Sequence, residues 1–169
     1  MPFYPFVRVN HHGQSTLLGC VLLSDEIMET FKWVFQSWLD ENDGQAPNAI
    51  IINQDKTIEA AVKMIFPNAR CRFYLWHILK KIPEKIGHIC KMHLKFMVEY
   101  DEAVYNTITT QSFEKKWGQL KNKYEECKAI DWLYDLYECR DKWIPAYLKD
   151  TFFASMLESK VVFFLLSFE

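Results

Sequence analysis

The stretch Ala-Ile-Ile-Ile-Asn-Gln-Asp, residues 49–55, decides the fold class. Its four apolar residues, 49–52, follow one another without alternation, which is typical of strands buried on both faces of a sheet. After the strand-end residues 53–55, apolar side chains recur at helical spacing up to Ile65. A buried strand that leads directly into an amphipathic helix indicates an α/β layer.

The residues around this stretch extend the same pattern. Two apolar runs, 3–9 and 15–23, are joined by a short loop that contains Asn and Gly, which predicts an antiparallel hairpin. Residues 27–39 have the spacing of a helix, residues 70–75 that of a short strand, and residues 76–86 that of another helix. The resulting order is strand, strand, helix, strand, helix, strand, helix. It predicts helices packed over a mixed sheet.

The second half of the chain has a different character. Residues 94–105, 112–124 and 130–143 are amphipathic with a period of 3.6, and no strand pattern lies between them. We therefore expect an all-helical subdomain there.

Composition excludes several classes of protein. Half of the 169 residues are apolar, which rules out a disordered chain. A formal charge of −2 gives no overall attraction to nucleic acid. Five cysteines without regular spacing do not suit a secreted disulfide framework. The longest apolar run, 161–166, is too short to cross a membrane, so we expect no membrane partner.

Several motifs follow one another in a recognisable order: PFxPFVxVNHHGQSxLLGCxLL at 2–23, APxxIIxxQD at 46–55, FPNARCRFYLWHILKKIPEKI at 66–86, SFEKKW at 112–117 and WLYDLYECRDKWIPAYLKDTFFASM at 132–156. Together they resemble the transposase core of Mutator-like elements (MULE). More closely, they resemble the plant FAR-RED IMPAIRED RESPONSE and FAR-RED ELONGATED HYPOCOTYL family that descends from it. The resemblance covers about residues 1–159.

The resemblance implies a ribonuclease-H-like fold whose first strand lies centrally, between the hairpin and the strand that leads to Asn53. That first strand would precede Met1, so we expect a core that lacks it, with two sheet edges facing a gap. On this basis we divide the chain into a partial ribonuclease-H-like core (1–93), a helical insertion subdomain (94–153) and an atypical apolar tail (154–169).

The family's cores use three carboxylates to hold two Mg²⁺ or Mn²⁺ ions for strand cleavage and transfer. The first aspartate would lie upstream of this sequence, the second is replaced by Asn53, and Glu158 is the remnant of the third. Asp55 survives nearby, but we expect it to cap the following helix. We therefore predict a degenerate core that is not an enzyme, binds no metal and carries no catalytic residue intact.

Two smaller groups of residues are also candidates. A Cys-x-x-His pair of the family is matched by Tyr74 and His77, which favours a structural, hydrogen-bonded histidine over a metal ligand. The basic residues Arg70, Arg72, Lys80, Lys81 and Lys85 form a compact cluster. They could contact a DNA backbone, although a solvated helix face is the favoured interpretation.

The resemblance implies a nuclear regulator of transcription that associates with DNA weakly or through other domains. It also implies protein partners, including homo- or heterodimers with family members. Full-length family proteins bind zinc, but we expect no cofactor in this chain. Two alternatives stay open: a fragment of an active Mutator-like transposase, and a pseudogene product without function.

Overall fold

The computed structural model describes residues 1–9, 12, 14–125, 127, 130–151, 153 and 164–167. In these residues five strands form one sheet, accompanied by six α-helices and two short 3-10 helices. The elements are β1 (Phe3–Val9), β2 (Ser15–Leu22), α1 (Met28–Glu41), β3 (Ala49–Ile52), α2 (Lys56–Ile65), β4 (Arg70–Phe73), α3 (Leu75–Met92), α4 (Phe96–Val104), α5 (Thr110–Lys123), α6 (Asp131–Glu138), the 3-10 helices Arg140–Lys142 and Pro145–Tyr147, and β5 (Phe164–Ser167). The predicted mixed α/β class and the predicted order up to α3 are confirmed.

The sheet has the strand order β2-β1-β5-β3-β4. Strand β1 pairs antiparallel with β2, which confirms the predicted hairpin, and β3 pairs parallel with β4. All four residues of β3 are buried, with exposed fractions between 0 and 4%. The uninterrupted apolar run therefore marks a strand covered on both faces, as predicted.

Strand β5 occupies the gap that we expected beside β1. Strand β5 runs parallel to β1, where Phe6–Arg8 align with residues 164–166, and antiparallel to β3, where Ala49–Ile51 align with residues 165–167. The expectation of two unpaired edges is thus wrong at these positions. The physical reason is that a short extended segment satisfies the backbone N–H and C=O groups of both neighbours.

Two compact units divide the chain by their internal contacts. The sheet unit comprises Met1–His77 with Thr151–Glu169, and the helical unit comprises Ile78–Asp150. Helix α3 contains the dividing point, so the units part earlier in the sequence than the boundary placed at residue 93. The domain assignments 1–93, 94–153 and 154–169 stay predictions.

Apolar side chains of α1 and α2 form the helical side of the sheet unit's core. Phe31, Val34 and Phe35 of α1 are buried, as are Ile58 and the neighbouring Ala61 and Val62 of α2. Their spacing of three and four residues is the helical periodicity that the sequence showed.

The helical unit has an aromatic core of its own. Trp117 and Trp143 are 1 and 0% exposed, and their rings lie edge to face with centroids 6.3 Å apart. The indole N–H of Trp143 donates to the carbonyl oxygen of Leu136 at 2.8 Å, an acceptor that a continuing helix would use for Arg140. Helix α6 accordingly ends at Glu138, earlier than residue 143, where the sequence pattern placed its end. Among the described helices, none combines the length and apolar character that crossing a bilayer requires.

Candidate functional site

The candidate site lies where the parallel strands β3 and β4 end. Asn53 follows Ile52 directly, and Tyr74 follows Phe73. The backbone N–H of Tyr74 donates to the carbonyl oxygen of Ile52 at 2.8 Å. Because Ile52 and Phe73 are aligned in the parallel ladder, Asn53 and Tyr74 emerge side by side at this edge of the sheet.

Asn53 is only partly exposed, and its side-chain oxygen is buried. Within the described residues this oxygen accepts no hydrogen bond. An amide oxygen is neutral, so it attracts a divalent cation much less than a carboxylate does. The position to which the resemblance assigns the second carboxylate therefore holds an uncharged acceptor that is unpaired within the described residues.

The side chain of Asp55 caps the N-terminus of helix α2. Its Oδ1 accepts hydrogen bonds from the backbone N–H groups of Thr57 at 2.8 Å and Ile58 at 3.0 Å. These are the first free donors of α2, and Asp55 is the N-cap residue of that helix. The predicted capping role of Asp55 is confirmed.

Arg72 is a buried cation at the same edge. Its residue is 5% exposed, and within the described residues one terminal nitrogen of its guanidinium has no hydrogen-bond partner. The guanidinium lies over the ring of Phe153, 5.4 Å from the centroid. Burial lowers the pKa of Arg72, because desolvation disfavours its charged form. Strand alternation directs Arg72 and Tyr74 to the same face of the sheet.

Tyr74 and His77, the matched positions of the Cys-x-x-His pair, are joined by ring packing. Their ring centroids are 5.4 Å apart, and Trp76 packs against His77 at 5.1 Å. The backbone N–H of His77 donates to the carbonyl oxygen of Tyr74 at 3.1 Å. The phenol oxygen of Tyr74 is buried and, within the described residues, makes no hydrogen bond. The arrangement is that of packed rings around a helix start; the assignment of a structural role to His77 stays a prediction.

Sequence reasoning missed a carboxylate near this edge. The hydroxyl of Tyr4, in β1, donates to Glu26, which precedes α1. Burial raises the pKa of Tyr4, and the charges of Glu26 and Asp55 raise it further. No local signal could have linked Tyr4 with Glu26, because the contact joins residues far apart in sequence.

The side chains at this edge do not fit a two-metal site. Asn53 is neutral, the carboxylate of Asp55 caps a helix, and the residue of β4 that aligns with Ile51 is the buried cation Arg72 rather than a carboxylate. In the described part of the chain, no three or more His, Cys, Asp and Glu side chains are grouped closely enough to hold a metal ion. Glu158 lies outside the described residues.

The five basic residues predicted as one cluster fall into both compact units. Arg70 is exposed on β4, whereas Arg72 is buried and has no face on the surface. Lys80, Lys81 and Lys85 belong to α3 within the helical unit, and the ammonium group of Lys85 lies 2.9 Å from the carboxylate of Glu84. The surface part of the set therefore excludes Arg72.

Comparisons with known proteins agree with the motif order. Residues 1–81 match the family model of the MULE transposase domain. The chain is 39% identical over 160 residues to Protein FAR-RED IMPAIRED RESPONSE 1 of Arabidopsis thaliana, a match that covers 95% of this chain and 19% of that protein. It is 42% identical over 156 residues to Protein FAR1-RELATED SEQUENCE 5 of the same plant, covering 92% of this chain and 20% of that protein. A third relative, Protein FAR1-RELATED SEQUENCE 6, is 40% identical over 156 residues, covering 92% of this chain and 22% of that protein. The chain thus spans about a fifth of the length of the curated relatives it matches.

Proposed function

Because the chain belongs to the plant FAR-RED IMPAIRED RESPONSE-related family and contains a MULE transposase domain, we propose that the protein is a transposase-derived nuclear regulator of transcription. In this proposal it has lost DNA strand transfer and keeps the scaffold for contacts with DNA and with proteins. The same descent supports a ribonuclease-H-like identity for the sheet unit. The order β2-β1-β5-β3-β4, with a hairpin on one side and parallel strands on the other, agrees with that identity.

The observation that carries the loss of catalysis is the state of the β3 end. Asn53 stands where a carboxylate would hold metal, and the carboxylate of Asp55 is engaged by two backbone donors of α2. Two-metal transfer needs several converging carboxylates, because each ion must be neutralised while it polarises an oxygen. The neighbouring strand adds a buried cation, because Arg72 is 5% exposed and aligns with Ile51, two residues before Asn53.

Contacts with DNA would use exposed cations. Arg70 on β4 and the lysines of α3, Lys80, Lys81 and Lys85, are the residues we propose for phosphate contacts, each within its own unit. A protein with an overall charge of −2 attracts nucleic acid only through such local patches, so binding by these residues should be weak and should fall steeply with salt.

Contacts with proteins would use the helical unit. Six of its described large apolar or aromatic side chains are exposed: Leu94 at 90%, Ile108 at 76%, Val98 at 59%, Tyr134 at 58%, Met92 at 57% and Tyr105 at 38%. Exposed apolar side chains favour partner binding when they are grouped. We propose this unit as the interaction surface, including dimers with family members.

A cleavage assay tests the loss of catalysis. The wild-type chain and the Asn53→Asp variant are incubated with labelled DNA in millimolar Mg²⁺ or Mn²⁺, with EDTA as the control. We expect no metal-dependent cleavage by the wild type. Cleavage by the wild type that EDTA abolishes would overturn the proposal.

A reporter assay tests the regulatory role. The protein and its Asn53→Ala variant are expressed in plant cells, and their location and the change in transcript abundance are measured. We expect both to enter the nucleus and to change the same transcripts equally, because regulation does not use the β3 end. An absence of any transcript change would contradict the proposal.

The alternative function is metal-dependent DNA strand transfer by a fragment of an active transposase. One observation favours it: the sheet unit keeps two carboxylates, Glu26, which accepts a hydrogen bond from Tyr4, and Asp55, which follows β3. If that is the function, Asp55→Asn should abolish metal-dependent cleavage, whereas the cap it forms would survive because Asn caps helices equally well.

A further inference from the structure

Strand β5 is the only described element that joins the two halves of the sheet. It lies between the β1–β2 hairpin and the parallel pair β3–β4, and the described ladders contain no direct pairing of β1 with β3. Three residues of β1 and three residues of β3 align with it. The continuity of the sheet therefore depends on a strand of four residues.

With β5 in place, the two strands that it joins are buried. Phe6 and Val7 of β1 are 5 and 7% exposed, and the residues of β3 are between 0 and 4% exposed. Backbone groups in such surroundings need hydrogen-bond partners, because an unpaired N–H or C=O that is removed from water is costly. Only an extended backbone placed between them can supply partners to both edges at once.

The chemistry of the segment matches that of the groove. Residues 161–168, Val-Val-Phe-Phe-Leu-Leu-Ser-Phe, carry no charge. The aligned positions in β3, Ala49–Ile51, are also uncharged, and so are Phe6 and Val7 in β1. The third aligned residue of β1, Arg8, is charged but exposed. A charged side chain inserted between these strands would lose its hydration without gaining a counter-ion. The groove therefore selects an uncharged, apolar, extended segment.

We propose that the groove between β1 and β3 is a strand-binding site whose occupant is the chain's own residues 164–167. The segment binds as a separate ligand would, by backbone pairing on both sides, and is held there because it is tethered. Ten residues, 154–163, link Phe153 to this segment. A short tether gives an effective concentration of about millimolar, so the attached segment outcompetes a free copy of itself. When the attached strand cannot pair, the same segment on a separate peptide takes its place.

The test uses the full chain with Leu165→Pro, because residue 165 aligns with Val7 on one side and Ile51 on the other. Proline removes a donor and is not accepted within a central strand. A fluorescein-labelled peptide of residues 160–169 is titrated against this variant, the wild type and a Ser167→Ala control, and anisotropy is recorded. We expect the Leu165→Pro chain to bind the peptide at least about tenfold more tightly than the wild type and the control do, because the tethered competitor is gone.

A second peptide that itself carries Leu165→Pro distinguishes strand pairing from simple hydrophobic adhesion. We expect it to bind none of the three chains. Equal affinity of the unaltered peptide for variant and wild type overturns the proposal, as does equal binding of the two peptides.

If the proline variant does not fold, hydrogen exchange on the unaltered chain tests the proposal instead. The amides of residues 164–167 should be protected and should open together with those of Ala49–Ile51. Exchange of residues 164–167 at the rate of an unstructured peptide, while Ala49–Ile51 stay protected, overturns the proposal.

Discussion

Arg140 in the helical unit, 28% exposed, and Arg72 in the sheet unit, 5% exposed, show two different ways of holding an arginine. The Nε of Arg140 donates to a carboxylate oxygen of Glu114 at 2.6 Å, and its guanidinium lies 4.0 Å from the ring centroid of Tyr137. Tyr137 and Tyr147 donate to the same carboxylate. Arg72 has a ring contact with Phe153, but within the described residues one of its terminal nitrogens has no acceptor.

The electrostatic consequences are opposite. Burial lowers the pKa of Arg140, but hydrogen bonds with Glu114 and Tyr147 outweigh it and raise the pKa above its ordinary value. Burial alone acts on Arg72 and lowers its pKa. Within the described residues, Asn53 and Tyr74 add two more unpaired polar atoms near Arg72. The carboxylate of Glu114 thus stabilises the charge of Arg140, whereas Arg72 has no such partner among the described residues. Buried polar atoms without a hydrogen bond do not distinguish the two units, because Tyr100, Trp117 and Trp132 in the described part of the helical unit have one each as well.

The largest expected effect is a loss of stability in the core of the helical unit. Trp143→Ala removes a side chain that is 0% exposed, together with its 2.8 Å hydrogen bond to Leu136. We expect it to lower the free energy of unfolding by about 3–5 kcal/mol, as other large core truncations do. Tyr134→Ala on α6 is the matched control, since Tyr134 is 58% exposed and should cost less than about 0.5 kcal/mol. Urea unfolding followed by fluorescence measures both, and equal losses would show that the helical core is not packed as described.

The next effect compares the two arginines directly. Arg140→Met removes the hydrogen bonds to Glu114 and to the carbonyl oxygen of Tyr137 together with the contact to the Tyr137 ring, so we expect a total loss of about 2 kcal/mol. Arg72→Met keeps the length of the side chain and removes a buried charge that has no anionic partner among the described residues, so we expect a change within about 0.5 kcal/mol or a gain in stability. The free energies of unfolding of both variants in urea give the difference. A loss at Arg72 as large as that at Arg140 would mean that Arg72 has an anionic partner and that the contrast is wrong.

Local sequence patterns predicted the parts of the fold that depend on local physics. The uninterrupted run 49–52 indicated a strand buried on both faces, and Asp55 before an amphipathic segment indicated a helix cap; both are confirmed. These inferences succeed because burial periodicity and capping depend on residues within a few positions of one another.

Patterns that depend on distant parts of the chain were not predictable in the same way. The segment at 164–167 pairs with residues more than a hundred positions away, and nothing in its composition specifies its neighbours. The alternation in Arg70-Cys71-Arg72-Phe73 does not say which arginine is buried, because two faces of a strand are equivalent until the sheet is assembled. For the same reason the link between Tyr4 and Glu26 could be seen only in the structure.

A smaller loss of stability is expected in the sheet unit, at the N-cap of α2. Asp55→Ala removes the acceptor of the Thr57 and Ile58 backbone donors, so we expect a loss of about 1 kcal/mol. Asp55→Asn keeps an acceptor and should stay close to the wild type. Thermal melts with and without millimolar Mn²⁺ measure the effect. If Mn²⁺ stabilised the wild type but not Asp55→Asn, Asp55 would be acting as a metal ligand, and the β3 end would have to be reinterpreted.

The smallest expected effect is a pH dependence of the free energy of unfolding, caused by Glu114 in the helical unit. Burial raises the pKa of Glu114, but hydrogen bonds from Tyr137, Tyr147 and Arg140 outweigh it, so its folded pKa lies below the ordinary value of 4.5. A carboxylate with a lowered pKa contributes stability above pH 4.5, and this contribution is lost as the pH falls through the folded pKa. Glu114 is 35% exposed, so the charge-dependent part of its contribution to stability should stay below about 1 kcal/mol.

Urea unfolding of the wild type and of Glu114→Gln measures this contribution. The two free energies of unfolding should differ most at pH 6–7 and converge in acid. Tyr137→Phe removes one of the three donors and should lie in between. A difference between wild type and Glu114→Gln that is constant from pH 7 to pH 3 would show that the charge of Glu114 does not hold Arg140 in place.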